Sequence, residues 1–211
     1  MNKIDSGVYG LDRVLPPDFQ GWNGDSPVFG RLIGDVLPSV IIEVGSWKGQ
    51  SAINMGGVVR TLGIACKIYC VDTWLGALEF WVGDLAGTRE RDLGLKFGYP
   101  SVYYQFLSNV IHAGLQSVIV PFPNTSLIGA RYFKSLGVVA DLVYIDASHD
   151  YEDVLMDLYA YYPLVRSGGV MFGDDYTGAW PGVVSAVDEF ASKKGLVLEM
   201  VDGNFWVIRV P

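Results

Sequence analysis

The sequence predicts an α/β fold, a doubly wound and mostly parallel sheet with helices on both faces. Three observations predict it. The apolar run 40–44 carries Glu43 near its end and breaks into the turn Gly45-Ser46-Trp47-Lys48-Gly49 before a helix-compatible stretch. Apolar runs and amphipathic stretches then alternate, so that five strand–helix units can be traced. The end changes period: 196–201 and 205–210, joined at Asp202-Gly203-Asn204, read as a β-hairpin.

In order, residues 1–26 are rich in Gly, Pro and Asp and read as an irregular arm. Ser26-Pro27 has the form of a helix start, with proline at the first position, so 28–37 is a short covering helix. Strand one is 40–44. Gly45 and Gly49 let backbone approach a ligand closely, and the helix start behind them offers free N–H groups. A helix over 51–62 ends at Gly63. Strand two, 67–71, is closed by Asp72. The segment 73–100 holds Trp74, Phe80, Trp81 and a charged run from Arg89 to Asp92, and is long for a strand–helix connection. It is a candidate lid or binding wall, or else an excursion whose aromatics pack down. Helices follow at 101–113, 126–136, 151–165 and 181–194, with strands at 118–120, 142–145 and 170–172.

The chain has 211 residues, enough for one domain, 1–211, with a sizeable core. Half of it is hydrophobic, yet no unbroken apolar run reaches about 18 residues, so no membrane span is expected. Residues 1–19 hold charges and two prolines and lack an apolar signal core, which points to the cytoplasm. A net charge of −8 argues against nucleic acid as partner. Cys66 and Cys70 would stand roughly 13 Å apart in one strand, too far for a disulfide, and read as buried thiols. The aromatic, apolar composition and the arm suggest surface to bury against a second copy, a homo-oligomer.

Ligands of such sheets sit beyond the carboxyl ends of the strands. Glu43, Asp72, Asp146, Asp174 and Asp175 all fall there. Any one could cap a helix, but five together fit a polar ligand. The dinucleotide fingerprint G-x-G-x-x-G is missing, since Lys48 stands where its third glycine would fall, and no Gly-Lys-Ser/Thr is present. A carboxylate at Asp72 can accept both hydroxyls of a ribose. His149 is a candidate general base, metal neighbour or substrate contact, or a histidine bonded to its own turn. His112, near a helix end, reads as structural.

The pattern Glu43-x-Gly45-x-x-x-Gly49 resembles motif I of the class I S-adenosylmethionine (SAM) methyltransferases. Val71-Asp72-Thr73-Trp74, Asp146-Ala-Ser-His149-Asp-Tyr, Gly168-Gly169 and Asp174-Asp175-Tyr176 resemble the metal-dependent O-methyltransferases of the macrocin O-methyltransferase and cephalosporin-hydroxylase-like group. The resemblance spans roughly 27–211. It implies a Rossmann-like, seven-stranded sheet of order 3-2-1-4-5-7-6 whose last pair is antiparallel. It places Gly45, Ser46, Gly49 and Ser51 under SAM, with Glu43 reaching the amino acid end or ordering the turn. It implies Asp72 on the ribose, Trp74 beside ribose or adenine, and Ser126 of Asn124-Thr125-Ser126 near the adenine. Asp146, Asp174 and Asp175 would then meet beside the methyl group. Three such carboxylates repel unless a proton or cation intervenes, and oxygen ligands suit Mg²⁺ or Ca²⁺. Asp146 or His149 would take the proton of a hydroxyl on a small acceptor, a sugar or glycosylated metabolite. Tyr176 and Trp180 would line the acceptor pocket or simply pack. Metal-independent transfer to N, O or S, and a SAM-binding module without turnover, are the competing readings.

Overall fold

The computed structural model describes residues 7–82 and 91–211. Residues 1–6 of the expected arm, and 83–90 of the expected lid with Arg89, lie outside them. The described residues form a seven-stranded sheet of order β3-β2-β1-β4-β5-β7-β6. Its strands are β1 (Val40–Val44), β2 (Lys67–Asp72), β3 (Ile119–Pro123), β4 (Ala140–Ile145), β5 (Val165–Gly173), β6 (Leu198–Val201) and β7 (Phe205–Arg209). β7 pairs antiparallel with β5 and β6, and the remaining pairs are parallel. No helix among the described residues is long and apolar enough to cross a membrane.

Period-two alternation sends successive side chains to opposite faces, so each strand feeds two cores. Ile41, Leu142 and Tyr144 meet the helices α1 (Pro27–Val36), α2 (Gln50–Thr61) and α3 (Val102–Ala113). Ile42, Val143 and Ile145 meet α4 (Ser126–Ser135), α5 (Tyr151–Tyr161) and α6 (Pro181–Lys194). Phe29 of α1 is fully buried and sets its ring edge-on to Tyr144 at 5.0 Å and to Phe205 at 5.8 Å. Burying one such ring contributes about 1.5–3 kcal/mol.

Two strands differ from expectation. β3 runs on through Pro121 and Pro123, which a sheet edge permits because one side of the strand needs no donors. β5 begins at Val165, and the glycines at 168 and 169, expected to end a helix, lie inside it. The helix stops earlier, at Tyr161, and a 3₁₀ turn with Pro163 leads into the strand. A register shift opposite Ala140 and Leu142 accommodates the glycines. Asp141 stitches this corner: it accepts from Ser39 N, Val40 N and Arg166 Nε. The hairpin turn has Asp202 and Gly203 at φ 53° and 82°, the left-handed pair that a tight two-strand connection favours.

The described part of the arm folds back on its own chain. Leu15 and Asp18 donate backbone amides to Ser108 Oγ and Asn109 Oδ1 of α3, and Lys48 Nζ pairs with Asp18 at 2.7 Å. Cys66 and Cys70 are free and buried.

Candidate active site

A cleft of about 520 Å³ opens at the carboxyl ends of β1, β2, β4 and β5, within the usual size of a small-molecule site. Its floor starts at the glycine turn. Gly45 holds φ +87°, and a Cβ there would lie 2.0 Å from the Asp146 carbonyl oxygen, so β1 and β4 approach closely only because it is glycine.

Behind the turn, Glu43 is fully buried and accepts from the hydroxyls of Ser46 and Ser51. Burial raises its pKa, and those hydroxyls oppose the rise. Of its two expected roles, ordering the turn is the one its contacts fit; it does not line the cleft. Asp72 does, and its Oδ2 accepts the amides of Ser46 and Trp47 at 2.8 and 2.9 Å while Oδ1 accepts that of Trp74. Two successive amides on one oxygen make a backbone nest, here filled by the protein's own carboxylate. Burial still raises the Asp72 pKa against these bonds.

Trp74 corrects an expectation. Its ring is 2% exposed, lies against Tyr103 and Phe106, and donates Nε1–H to the Trp47 carbonyl. It is packed in the core behind the turn, held by those rings and that bond, and does not line the cleft. Gly49 also lies off the cleft; a Cβ there would meet Phe106 at 3.0 Å. Gly45, Ser46, Ser51, Asp72, Ser126, Asp146, His149, Asp174 and Asp175 are brought to it. Ser126 is the first residue of α4, and Thr125 is its cap.

At the β4–β5 end the acids gather. Asp146 accepts from Tyr144 Oη at 2.8 Å; burial, with Asp175 and Asp174 close by, holds it well above the usual carboxylate range. Asp174 accepts from Asn23 Nδ2 at 2.9 Å and from the Asp175 amide, and burial lifts it to about 6. Asp175 sits at φ 63°, a left-handed conformation that asparagine and aspartate tolerate better than other side chains. His149 bridges two carboxylates, with Nε2 2.8 Å from Asp175 and Nδ1 2.9 Å from Glu79, and stacks on Trp180 at 3.8 Å. Burial disfavours its charged form, but the two carboxylates outweigh that and raise it to about 9. Asp146, His149 and Asp175 each offer a ligand atom within 4.8 Å of the others. The cluster therefore differs from the expected triad, with His149 in it and Asp174 turned to Asn23.

Sequence reasoning missed Glu79, Asn23, Trp22 and Asp157, all of which line the cleft. Glu79 lies in a single 3₁₀ turn, Leu78–Phe80, and Asn23 in an irregular segment, both too short to show a period. Asp157 had a signal: it shares a helix stripe with the buried Val154, Leu158 and Tyr161. Phe80 of the 73–100 segment and Trp22 of the arm close over Trp47, at 4.8 and 5.9 Å.

A sheet of this order, with a glycine turn and an acidic cleft at its carboxyl ends, defines the Rossmann-like methyltransferase class. A family model described as "Methyltransferase domain" matches residues 42–176, and the chain belongs to that family. It is a SAM-dependent methyltransferase. The demethyldecarbamoylnovobiocin O-methyltransferase of Streptomyces niveus is 25% identical over 190 residues, 83% of this chain and 68% of that protein. Among solved structures, the O-methyltransferase NovP superposes with a TM-score of 0.62 at 23% identity, covering 87% of this chain and 78% of its own. The calicheamicin methyltransferase CalS11 gives 0.59 at 22% identity, with 86% and 76% covered.

Proposed function

We propose that this methyltransferase moves the SAM methyl group to a hydroxyl of a small acceptor, a sugar or glycosylated metabolite, with help from a divalent cation. The observation that carries the reading is the meeting of Asp146, His149 and Asp175 within 4.8 Å in the cleft, where Asp146 adjoins the glycine turn. The names of the relatives, which act on novobiocin and calicheamicin precursors, support the acceptor class.

The residues fit a cation: carboxylate oxygens of Asp146 and Asp175 converge with His149 beside them, and burial, together with the neighbouring Asp175 and Asp174, holds Asp146 protonation-prone, which a cation would offset. Asp146 and Asp175 would hold it, with Asp174 alongside. A bound Mg²⁺ lowers the pKa of a hydroxyl oxygen and fixes its direction. Asp146, half-buried and lining the cleft beside Ala147 and the turn, is placed to take the hydroxyl proton. His149 holds Asp175 and stacks on Trp180, so it orients the wall. Ser46 and Gly45 underlie the methionine part, Asp72 Oδ1 retains lone-pair capacity for a ribose hydroxyl, and Ser126 marks the base end. Trp22 and Phe80 roof the cleft, and shutting out water strengthens every charge interaction inside.

A metal-independent reading draws on His149 itself, which already places a positive charge between Glu79 and Asp175. Methyl transfer from labelled SAM to a panel of sugars and polyols, with Mg²⁺ or with EDTA, decides. Activity abolished by EDTA and restored by Mg²⁺ supports the proposal. Full activity in EDTA moves it to the second reading, and SAM binding without transfer to any hydroxyl rejects transfer to oxygen, with metal or without. Self-association belongs to the proposal too. Phe97 and Tyr99 stand exposed, and sedimentation velocity should find a dimer or larger species.

A further inference from the structure

Like charges at the β4–β5 end repel one another, so each carboxylate there needs a partner to keep its place. Asp175 pairs with His149 Nε2, and Asp146 accepts from Tyr144 Oη. Asp174 is held from further away. It is 3% exposed, it lines the cleft, and its charge acts on Asp146. Its Oδ1 takes the amide of the next residue, and its Oδ2 takes Asn23 Nδ2 at 2.9 Å, a donor 151 positions away in the arm.

The arm is fastened so as to deliver that amide. Asp18 pairs with Lys48, and Gln20 Oε1 accepts from Trp47 Nε1 at 3.0 Å; both partners belong to the glycine turn. Gly24 packs so closely on the start of α2 that a Cβ there would lie 2.8 Å from Ser51 N, and its carbonyl accepts from Asn54 Nδ2. Between these fastenings Asn23 takes φ 51°, a left-handed conformation that asparagine tolerates, and its carbonyl accepts from Ser26 N. A donor bonded to a carboxylate beside a cation orients that carboxylate and tunes affinity for the cation. We infer that Asn23 is a positioning residue: its amide fixes the Asp174 carboxylate alongside Asp146 and Asp175, so that the arm completes the cation site. This rests on the cation reading proposed above. Asp174 keeps lone pairs for the role, since an ionised carboxylate offers about four acceptor sites and Asn23 and the Asp175 amide take one on each oxygen.

The test is calorimetric titration of Mg²⁺ into the whole protein saturated with S-adenosylhomocysteine, which reads the site without turnover. Asn23→Gly leaves the left-handed backbone at ease and removes only the side-chain amide. It should weaken Mg²⁺ binding by about tenfold or more, while affinity for S-adenosylhomocysteine changes by less than about threefold. Added to Asp174→Ala, the same substitution should cost less than about twofold in Mg²⁺ affinity, because the amide has lost its target. Wild-type Mg²⁺ affinity in Asn23→Gly, or a loss that persists undiminished in Asp174→Ala, overturns the assignment and leaves the cation reading intact. An equal loss of S-adenosylhomocysteine affinity would mark a loosened arm and overturns it as well. No Mg²⁺ binding by the wild type overturns both. If Asp174→Ala binds no Mg²⁺ or fails to fold, the split between Mg²⁺ and S-adenosylhomocysteine in Asn23→Gly decides.

Discussion

Trp47 donates its backbone amide to Asp72 Oδ2 at 2.9 Å, from a left-handed conformation with φ 47°. A bulky residue persists there only when its surroundings hold it, and here Asp72 and the indole of Trp74, bonded to the Trp47 carbonyl at 2.7 Å, hold it from two sides. Asp72→Ala leaves three buried amides without an acceptor. It should destabilise the protein by about 2–5 kcal/mol and weaken SAM binding at least tenfold. Asp72→Asn keeps one acceptor oxygen and should lie between. Thermal unfolding and SAM titration check both.

Gly45→Ala forces a Cβ to within 2.0 Å of the Asp146 carbonyl oxygen at a φ that alanine resists. The strand ends must part. We expect SAM binding to vanish and unfolding free energy to drop by about 3 kcal/mol or more, read by chemical denaturation.

Asp146→Asn removes the proposed proton acceptor without changing shape. Turnover should fall about 10²–10⁴-fold, while SAM affinity changes by less than tenfold. Single-turnover assays beside calorimetry separate the two. An equal loss in both would make Asp146 a cofactor ligand only.

His149 gives a pH signature in the metal-free protein. Its folded pKa, about 9, exceeds the ordinary 6.5, so the bridge between Glu79 and Asp175 stabilises fully below pH 6.5 and is lost as pH rises through 9. The stability difference between wild type and His149→Gln in EDTA should therefore shrink by about 3 kcal/mol across that window. Denaturation at pH 6 and pH 9.5 checks it; a flat difference would show that the bridge is not charged.

The sheet was legible in the sequence because buried strands bounded by glycine and aspartate announce themselves, and because the terminal hairpin breaks the strand–helix rhythm. β5 was misjudged where Gly168 and Gly169, ordinary helix stops, serve a strand irregularity. The acids at strand ends were legible for the same reason as the strands. The place of Trp74 was not, since it is set by contacts with Tyr103 and Phe106, far along the chain. Glu79 and Asn23 were invisible: long-range contacts from one 3₁₀ turn and an irregular segment leave no period to read.

Trp22 of the arm meets Phe80, in a second 3₁₀ turn at Leu78–Phe80, at 6.3 Å, edge to face. Such a pair is worth only about 0.5–1.5 kcal/mol beyond its buried area. Both residues line the cleft and come from segments far apart in the chain, so parting this one aromatic contact would open that part of the rim without unravelling a helix or strand. Trp22, half exposed at the rim, and Phe80 are therefore the positions at which substitution should alter product release while leaving the acids at the β4–β5 end untouched.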